Sequence, residues 1–166
     1  VKMDVHITKF KNLLDKIILS FCSIALFLLV TSVTWQVFSR YVLNDPSSFT
    51  DELARYLMIW FGLLGASYLF GKNGHLAITL FIHSIGRKYQ KPSYILIHLT
   101  SLSFVFLAMI KGGIQLMGRT TMQFSPALQI PMSYVYFILP LAGSLMCIYI
   151  LFNIANLLAT PSNERG

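Results

Sequence analysis

Charge is what this chain has least of. Asp, Glu, Lys and Arg make up 11% of its 166 residues, and 55% are hydrophobic, whereas soluble domains carry about 25% charged residues. That balance excludes a water-soluble globule and predicts an integral membrane protein. Segments of about ten residues alternating apolar and polar are absent, which excludes a transmembrane β-barrel. Cysteine is scarce as well: Cys22 and Cys147 both lie inside apolar blocks, as small buried hydrophobes do. A small-residue cleavage site is missing after the first apolar block, which runs uncharged from Ile17 to Ser39 into "TWQVFSRY". A signal peptide's apolar core is only about 7 to 15 residues long, so this block is expected to be an uncleaved spanning helix.

Chemistry in the middle of the membrane is lacking too. Ionisable residues near the bilayer centre cost several kcal/mol and mark ion paths or catalytic sites. Lys111 stands about 30 Å beyond Lys91 along a helix, which places it at the far interface, where it can snorkel. His98 has no acid or second histidine at its depth, and an interhelical hydrogen bond is the expected role. His75 and His83 lack metal-ligand spacing, and "GKNGH" lacks the upstream glycine and Lys-Ser/Thr ending of a phosphate loop. No nucleophile has a paired base and orienting acid. Matching halves with broken helices, the mark of inverted-repeat transporters, are absent; Pro140 predicts a kink. These absences predict no enzyme activity, no cofactor and no metal. The net charge of +7 does not imply nucleic acid, because the basic residues flank the apolar blocks rather than gather on one water-facing surface.

What is present is four apolar blocks. Crossing a hydrocarbon core about 30 Å thick takes roughly 20 residues of helix. The blocks predict an all-α integral membrane protein with spans at about 13–42, 49–72, 92–118 and 131–158, in a single membrane domain over 1–166. With the N-terminus inside, nine Lys and Arg fall on the cytoplasmic side and four (Arg40, Arg55, Lys111, Arg119) on the other, so both termini are expected in the cytoplasm. Between the second and third spans, residues 75–88 form either a short cytoplasmic-side interfacial helix or a basic loop. There Arg87, Lys88 and Lys91 are candidates for phospholipid head-group contact. In this topology Cys22 and Cys147 differ by about 10 Å in depth, too far for a disulfide.

The stretch "NDPSSFTDELARYLMIWFG" at 44–62 opens the second span at the outer face. Asp45 with Pro46, or Ser48 with Asp51, can start a helix there. Asp51 and Glu52 then complement the helix dipole, and Arg55 is within reach of Asp51 at i,i+4 and Glu52 at i,i+3. Either these residues serve local capping alone, or Arg40, Arg55 and Glu52 form a wider network that fixes the first hairpin and a partner. Gly62 and Ala66 form a small-xxx-small pair, and Gly112, Gly113 and Gly118 cluster in the third span, permitting close helix approach. The aromatic load of 13 Phe, 8 Tyr and 2 Trp exceeds the needs of a small bundle's interior.

"SRYVLNDPSSFTDELARYLMIWFGLLGASYLFGKNGHLAI" at 39–78 and "SPALQIPMSYVYFILPLAGSLM" at 125–146 resemble the small membrane (Q) subunit of tripartite ATP-independent periplasmic (TRAP) transporters. Shared features are an acid-acid-x-x-Arg helix start after a proline loop, a Gly-x-x-x-His-type turn and an Ile-Pro to Leu-Pro-Leu entry into the last span. Phe49 stands where the family often has tryptophan. The resemblance implies a scaffold subunit in the bacterial inner membrane. Its partners would be a large, elevator-type membrane (M) subunit, a periplasmic substrate-binding protein and membrane phospholipids, in sodium-driven import of an organic acid, with sialic acid the nearest type. It makes Arg40, Asp51, Glu52, Arg55, Trp60, Gly62 and Ala66 the candidate interface and anchoring residues. The competing expectation is a self-sufficient homo-oligomeric exporter or channel.

Overall fold

A computed structural model of the chain describes residues 5–72 and 87–159. Six helices and one π-helical segment follow in order: α1 (Val5–Tyr41), α2 (Ser48–Gly71), α3 (Arg87–Phe104), the π segment (Val105–Lys111), α4 (Gly112–Arg119), α5 (Met132–Tyr136) and α6 (Ile138–Ala159). They make four candidate spans, Thr8–Tyr41, Ser48–Gly71, Pro92–Arg119 and Met132–Ala155, so the expected all-α architecture and the count of four hold. Residues 75–86 of the expected interfacial helix lie outside the described residues. Arg87 and Lys88, expected at its end, stand with Lys91 in the first turns of α3.

α1 has 37 residues and is about 55 Å long at 1.5 Å per residue, more than the hydrocarbon thickness requires. Its N-terminal turns and α6 meet at one end of the bundle, where Phe10 and Phe152 pack edge to face at 6.4 Å. This end, towards which both ends of the chain run, is the terminal end. The opposite end carries the connections at 42–47 and 120–131 and is the loop end.

α2 and α6 form the centre. One apolar cluster, Ile18, Cys22, Leu64, Ile138 and Tyr149, joins α1, α2 and α6; a second, Val105, Met146 and Ile150, joins α6 to the π segment and takes Ala66 and Phe70 from α2. Over an 18-residue apolar stretch of the fourth span 39% of residues are buried, against 6% in the third, so the third span is peripheral and most of its surface faces outward. Cys22 and Cys147 are both free, in agreement with their expected difference in depth.

Glycine sets the approach of the third and fourth spans. A Cβ on Gly113 would lie 2.8 Å from Pro140 Cδ and 2.9 Å from Leu139 Cβ, and one on Gly143 would lie 2.9 Å from Met109 Cβ. The π segment ends at Lys111, two residues before Gly113, and the extra residue in its turns brings Met109 and Ile110 against Gly143. At the other side of the contact the fourth span breaks at Phe137, between α5 and α6. Pro140 supplies no N–H to the preceding turn, which accounts for a break in the place where the sequence predicts a kink.

Candidate functional site

The loop end is built from three segments, and the first is the turn between α1 and α2. Asn44 has φ 54°, a left-handed conformation that asparagine tolerates. The turn folds back onto Ser39: its carbonyl accepts from the Asp45 N–H at 3.2 Å, and its hydroxyl accepts from the Ser47 N–H at 3.4 Å. Because Asp45 and Ser47 are held there, Pro46 cannot enter a helical turn, and α2 starts one step after Ser47. Ser47 is the N-cap, accepting from the Thr50 N–H at 3.4 Å. This corrects both expected caps, Asp45 and Ser48.

In the first turns of α2 the two neighbouring acids diverge. Asp51 stays at the surface, bonded to Arg55 at 2.8 Å and accepting from Gln36 Nε2 at 2.7 Å, so it joins α2 to α1. The expected i,i+4 pair exists, but both side chains are about half exposed or more, which limits its contribution. Glu52 turns inward and is only 6% exposed. Its Oε2 accepts from the backbone N–H groups of Ala127 and Leu128, each at 2.8 Å, and its Oε1 accepts from the Tyr56 hydroxyl at 2.5 Å. The expected Glu52–Arg55 pair is therefore absent among the described residues: one carboxylate cannot face the solvent-side arginine while it is held by three inward donors.

The third segment is the connection at 120–131, which presents those donors. The Ser125 N–H donates to the Ile130 carbonyl at 2.9 Å, and the Met132 N–H donates to the Gln123 carbonyl at 2.8 Å. Gln129 has φ 55°, and Ser125 is fully buried. This closed loop turns two successive N–H groups toward α2, and a charged acceptor there makes stronger hydrogen bonds than a neutral one. The seam continues along α2, where Trp60 Nε1 donates to the Val135 carbonyl at 3.2 Å. Beside it lies an apolar recess of about 300 Å³ lined in part by Leu53, Leu57, Trp60, Leu128 and Tyr134. Glu52 and Trp60 thus tie the first hairpin to the second.

The other expected residues do not share this site. Arg40 is exposed and makes no ion pair among the described residues. Gly62 is exposed, and nothing lies within 4 Å of the point a Cβ would occupy. Ala66 packs on the second apolar cluster.

Sequence reasoning missed a second polar cluster, at the terminal end. Asp15 is buried, accepts from the Tyr149 hydroxyl at 2.6 Å and pairs with Lys72 at 3.2 Å. The carboxylate raises the pKa of the Lys72 ammonium. Lys11 Nζ donates to the Gly71 carbonyl at 2.7 Å, and Asn153 Nδ2 donates to the Phe70 carbonyl at 2.9 Å. These bonds satisfy carbonyls left open at the C-terminus of α2. The available signals were an acid within a run of lysines and a tyrosine within an apolar block. Neither identifies a partner 134 positions away.

Both polar clusters are built from groups that hold elements together; among the described residues no charged side chain lies in the middle of a span. The family described as "Tripartite ATP-independent periplasmic transporters, DctQ component" matches residues 29–160, a region that includes Glu52 and the loop it holds. The sialic acid TRAP transporter small permease protein SiaQ of Vibrio cholerae is 30% identical, over 78% of this chain and 75% of its own. A putative TRAP transporter small permease protein of Haemophilus influenzae is 27% identical, over 81% of this chain and 83% of its own. The isethionate TRAP transporter permease protein DctMQ of Oleidesulfovibrio alaskensis is 25% identical over 74% of this chain, which covers 20% of that relative. With four apolar helices and a family match over most of its length, the chain belongs to the DctQ component family of TRAP transporters, as a multi-pass small permease subunit of the inner membrane.

Proposed function

We propose that this subunit is the fixed scaffold of a sodium-driven importer of an organic acid, with sialic acid as the candidate substrate. It stabilises the large membrane subunit and helps dock the periplasmic binding protein. Both termini are cytoplasmic and the loop end is periplasmic. The observation that carries the reading is the Glu52 seam: α2, the first turn and the 120–131 loop are joined into one unit at the end of the bundle that the Lys and Arg count assigns to the outside. A unit so joined suits bearing load between a moving partner and a docking protein. The absence of charge in the middle of the described spans fits a subunit that leaves substrate and ion binding to its partner.

Sialic acid is favoured by the relative named for it at 30% identity. A more distant relative, 25% identical, is named for isethionate. In the assembled transporter, Gly62 and Arg40, both exposed in this chain, are contact points for the large subunit, and Arg87, Lys88 and Lys91 lie at the phospholipid surface.

The test is reconstitution in proteoliposomes with an imposed sodium gradient and the binding protein outside. Uptake of labelled sialic acid is expected only when the large subunit is present. Uptake by this chain alone would overturn the scaffold reading in favour of a self-sufficient oligomer. Uptake by the pair of a different organic acid, with none of sialic acid, would correct the substrate while leaving the scaffold role intact.

A further inference from the structure

The terminal end holds an open recess of about 430 Å³ with polar groups on an otherwise apolar wall, away from the seam at the loop end. On α1 it is lined by Asn12, Asp15, Lys16, Leu19, Ser20 and Ser23, all ahead of the family match that begins at residue 29, and on the α2 side by Tyr68 and Lys72 within that match. Asn12, Lys16, Ser20 and Ser23 follow at helical spacing along one face of α1, so the polar stripe descends about 16 Å along the span. Ser23 donates to the Leu19 carbonyl at 2.8 Å within the helix, but the Asn12 amide and the Lys16 ammonium are out of place against hydrocarbon.

Charge decides what fits. The Asp15 carboxylate is already used, with one oxygen held by the Tyr149 hydroxyl and the other by Lys72, and its side chain is only 10% exposed. Lys16 is exposed and has no ion-pair partner among the described residues. Lys72 is half exposed and turned to the same recess. Lys16 and Lys72 against Asp15 leave one uncompensated positive charge. The phosphodiester common to both lipid classes would meet the Lys16 ammonium, the Asn12 amide and the Ser20 hydroxyl, while the extra ammonium of a zwitterionic head group would find the carboxylate occupied and lie beside two lysines, so a net-anionic head group fits better. The wall made by Leu19 and Tyr68 continues from that polar rim toward the hydrocarbon.

We infer that this recess is a binding site for one anionic phospholipid, with the phosphate between Lys16, Lys72 and Asn12 and the glycerol backbone along Ser20 and Ser23. Such a lipid would seat α1 against α2 at the terminal end, where Lys11 and Lys72 already join the two helices.

The experiment uses the full chain in mild detergent, with the lipid retained per chain counted by native mass spectrometry and the melting temperature followed while lipid is added. Phosphatidylglycerol is expected to bind and to raise the melting temperature more than phosphatidylethanolamine does. Lys16→Gln should weaken phosphatidylglycerol binding about fivefold, in line with one basic residue at an anionic surface. Lys16→Arg should restore binding, and neither change should alter stability without lipid, since Lys16 makes no internal ion pair. Equal effects of the two lipids, or an unchanged affinity in Lys16→Gln, would overturn the inference. Inorganic phosphate that stabilises the chain as well as phosphatidylglycerol does would also overturn it, by showing a small-anion site in place of a lipid site. The outcome does not depend on the transport reading, because no partner or substrate enters the assay.

Discussion

A single methyl group should have opposite consequences at Gly113 and at Gly62. At Gly113 the added carbon would sit 2.8 Å from Pro140 Cδ, 2.9 Å from Leu139 Cβ and 3.1 Å from the Pro140 nitrogen. Comfortable carbon–carbon contact is about 3.5–4.0 Å, so the two spans must separate by roughly 0.7 Å or more. None of the three atoms belongs to the far end of a flexible side chain, and rotation cannot relieve the clash. Overpacking of this kind costs about 1–3 kcal/mol; with the rigid proline ring as neighbour, the upper half of that range applies. Alanine regains up to about 1 kcal/mol of helix propensity. The net loss is about 1–2 kcal/mol, which corresponds to a melting point roughly 2–8 °C lower for a chain of this size. Gly62→Ala meets nothing within 4 Å and should leave the isolated chain as stable as before or slightly more so. The assay is thermal unfolding of each purified variant in detergent, beside copurification with the large subunit. If Gly113→Ala melts with the parent chain, the close approach of α4 and α6 is refuted. If Gly62→Ala lowers the stability of the isolated chain, the open face is refuted; if it leaves copurification untouched, the proposed helix contact there is refuted.

Glu52→Ala should loosen the 120–131 loop, seen as faster amide exchange at Ala127 and Leu128, while Asp51→Ala should leave those amides protected. Equal protection in both variants would refute the inward role of Glu52. Tyr149→Phe deletes one buried hydrogen bond and should cost about 0.5–1.5 kcal/mol, whereas Asp15→Ala leaves a fully buried tyrosine hydroxyl and Lys72 without their acceptor and should cost more, about 1–3 kcal/mol for the orphaned hydroxyl. Denaturation of both variants checks the order, which a larger loss in Tyr149→Phe would contradict. Because the Lys72 pKa is raised, its stabilising contribution is fully present below its ordinary value near 10.5 and is lost only as pH rises through the raised one. Lys72→Met should therefore lower stability by the same amount at pH 6 and pH 8.5, and a difference between the two would contradict a proton-linked pair of this sign.

The membrane class and the number of spans were legible in the sequence because each depends on a local sum. A run of about 20 apolar residues crosses a bilayer whatever its neighbours are, and the boundaries shifted by only a few residues, most of all at the start of α1. The pairing of Asp51 with Arg55 was legible for the same reason: i,i+4 spacing is fixed by one helix. Glu52, next in sequence to Asp51, was misassigned to Arg55, since helical spacing alone permits that pair. Its partners, the N–H groups of Ala127 and Leu128, stand 75 and 76 positions away. Backbone amides carry no mark in a sequence, and these two become donors to a carboxylate only through the closed shape of the loop.

The sequence by itself determined that this chain lies in a membrane, crosses it four times and has no charge for chemistry at its centre, for hydropathy and length are additive along the chain. Tertiary structure alone decided which of two neighbouring acids binds the second hairpin, that Asp15 and Tyr149 meet across 134 positions, and that Gly113 is filled by Pro140 while Gly62 stays open. Those outcomes follow from the angles and distances between helices, which arise from the simultaneous packing of all four spans.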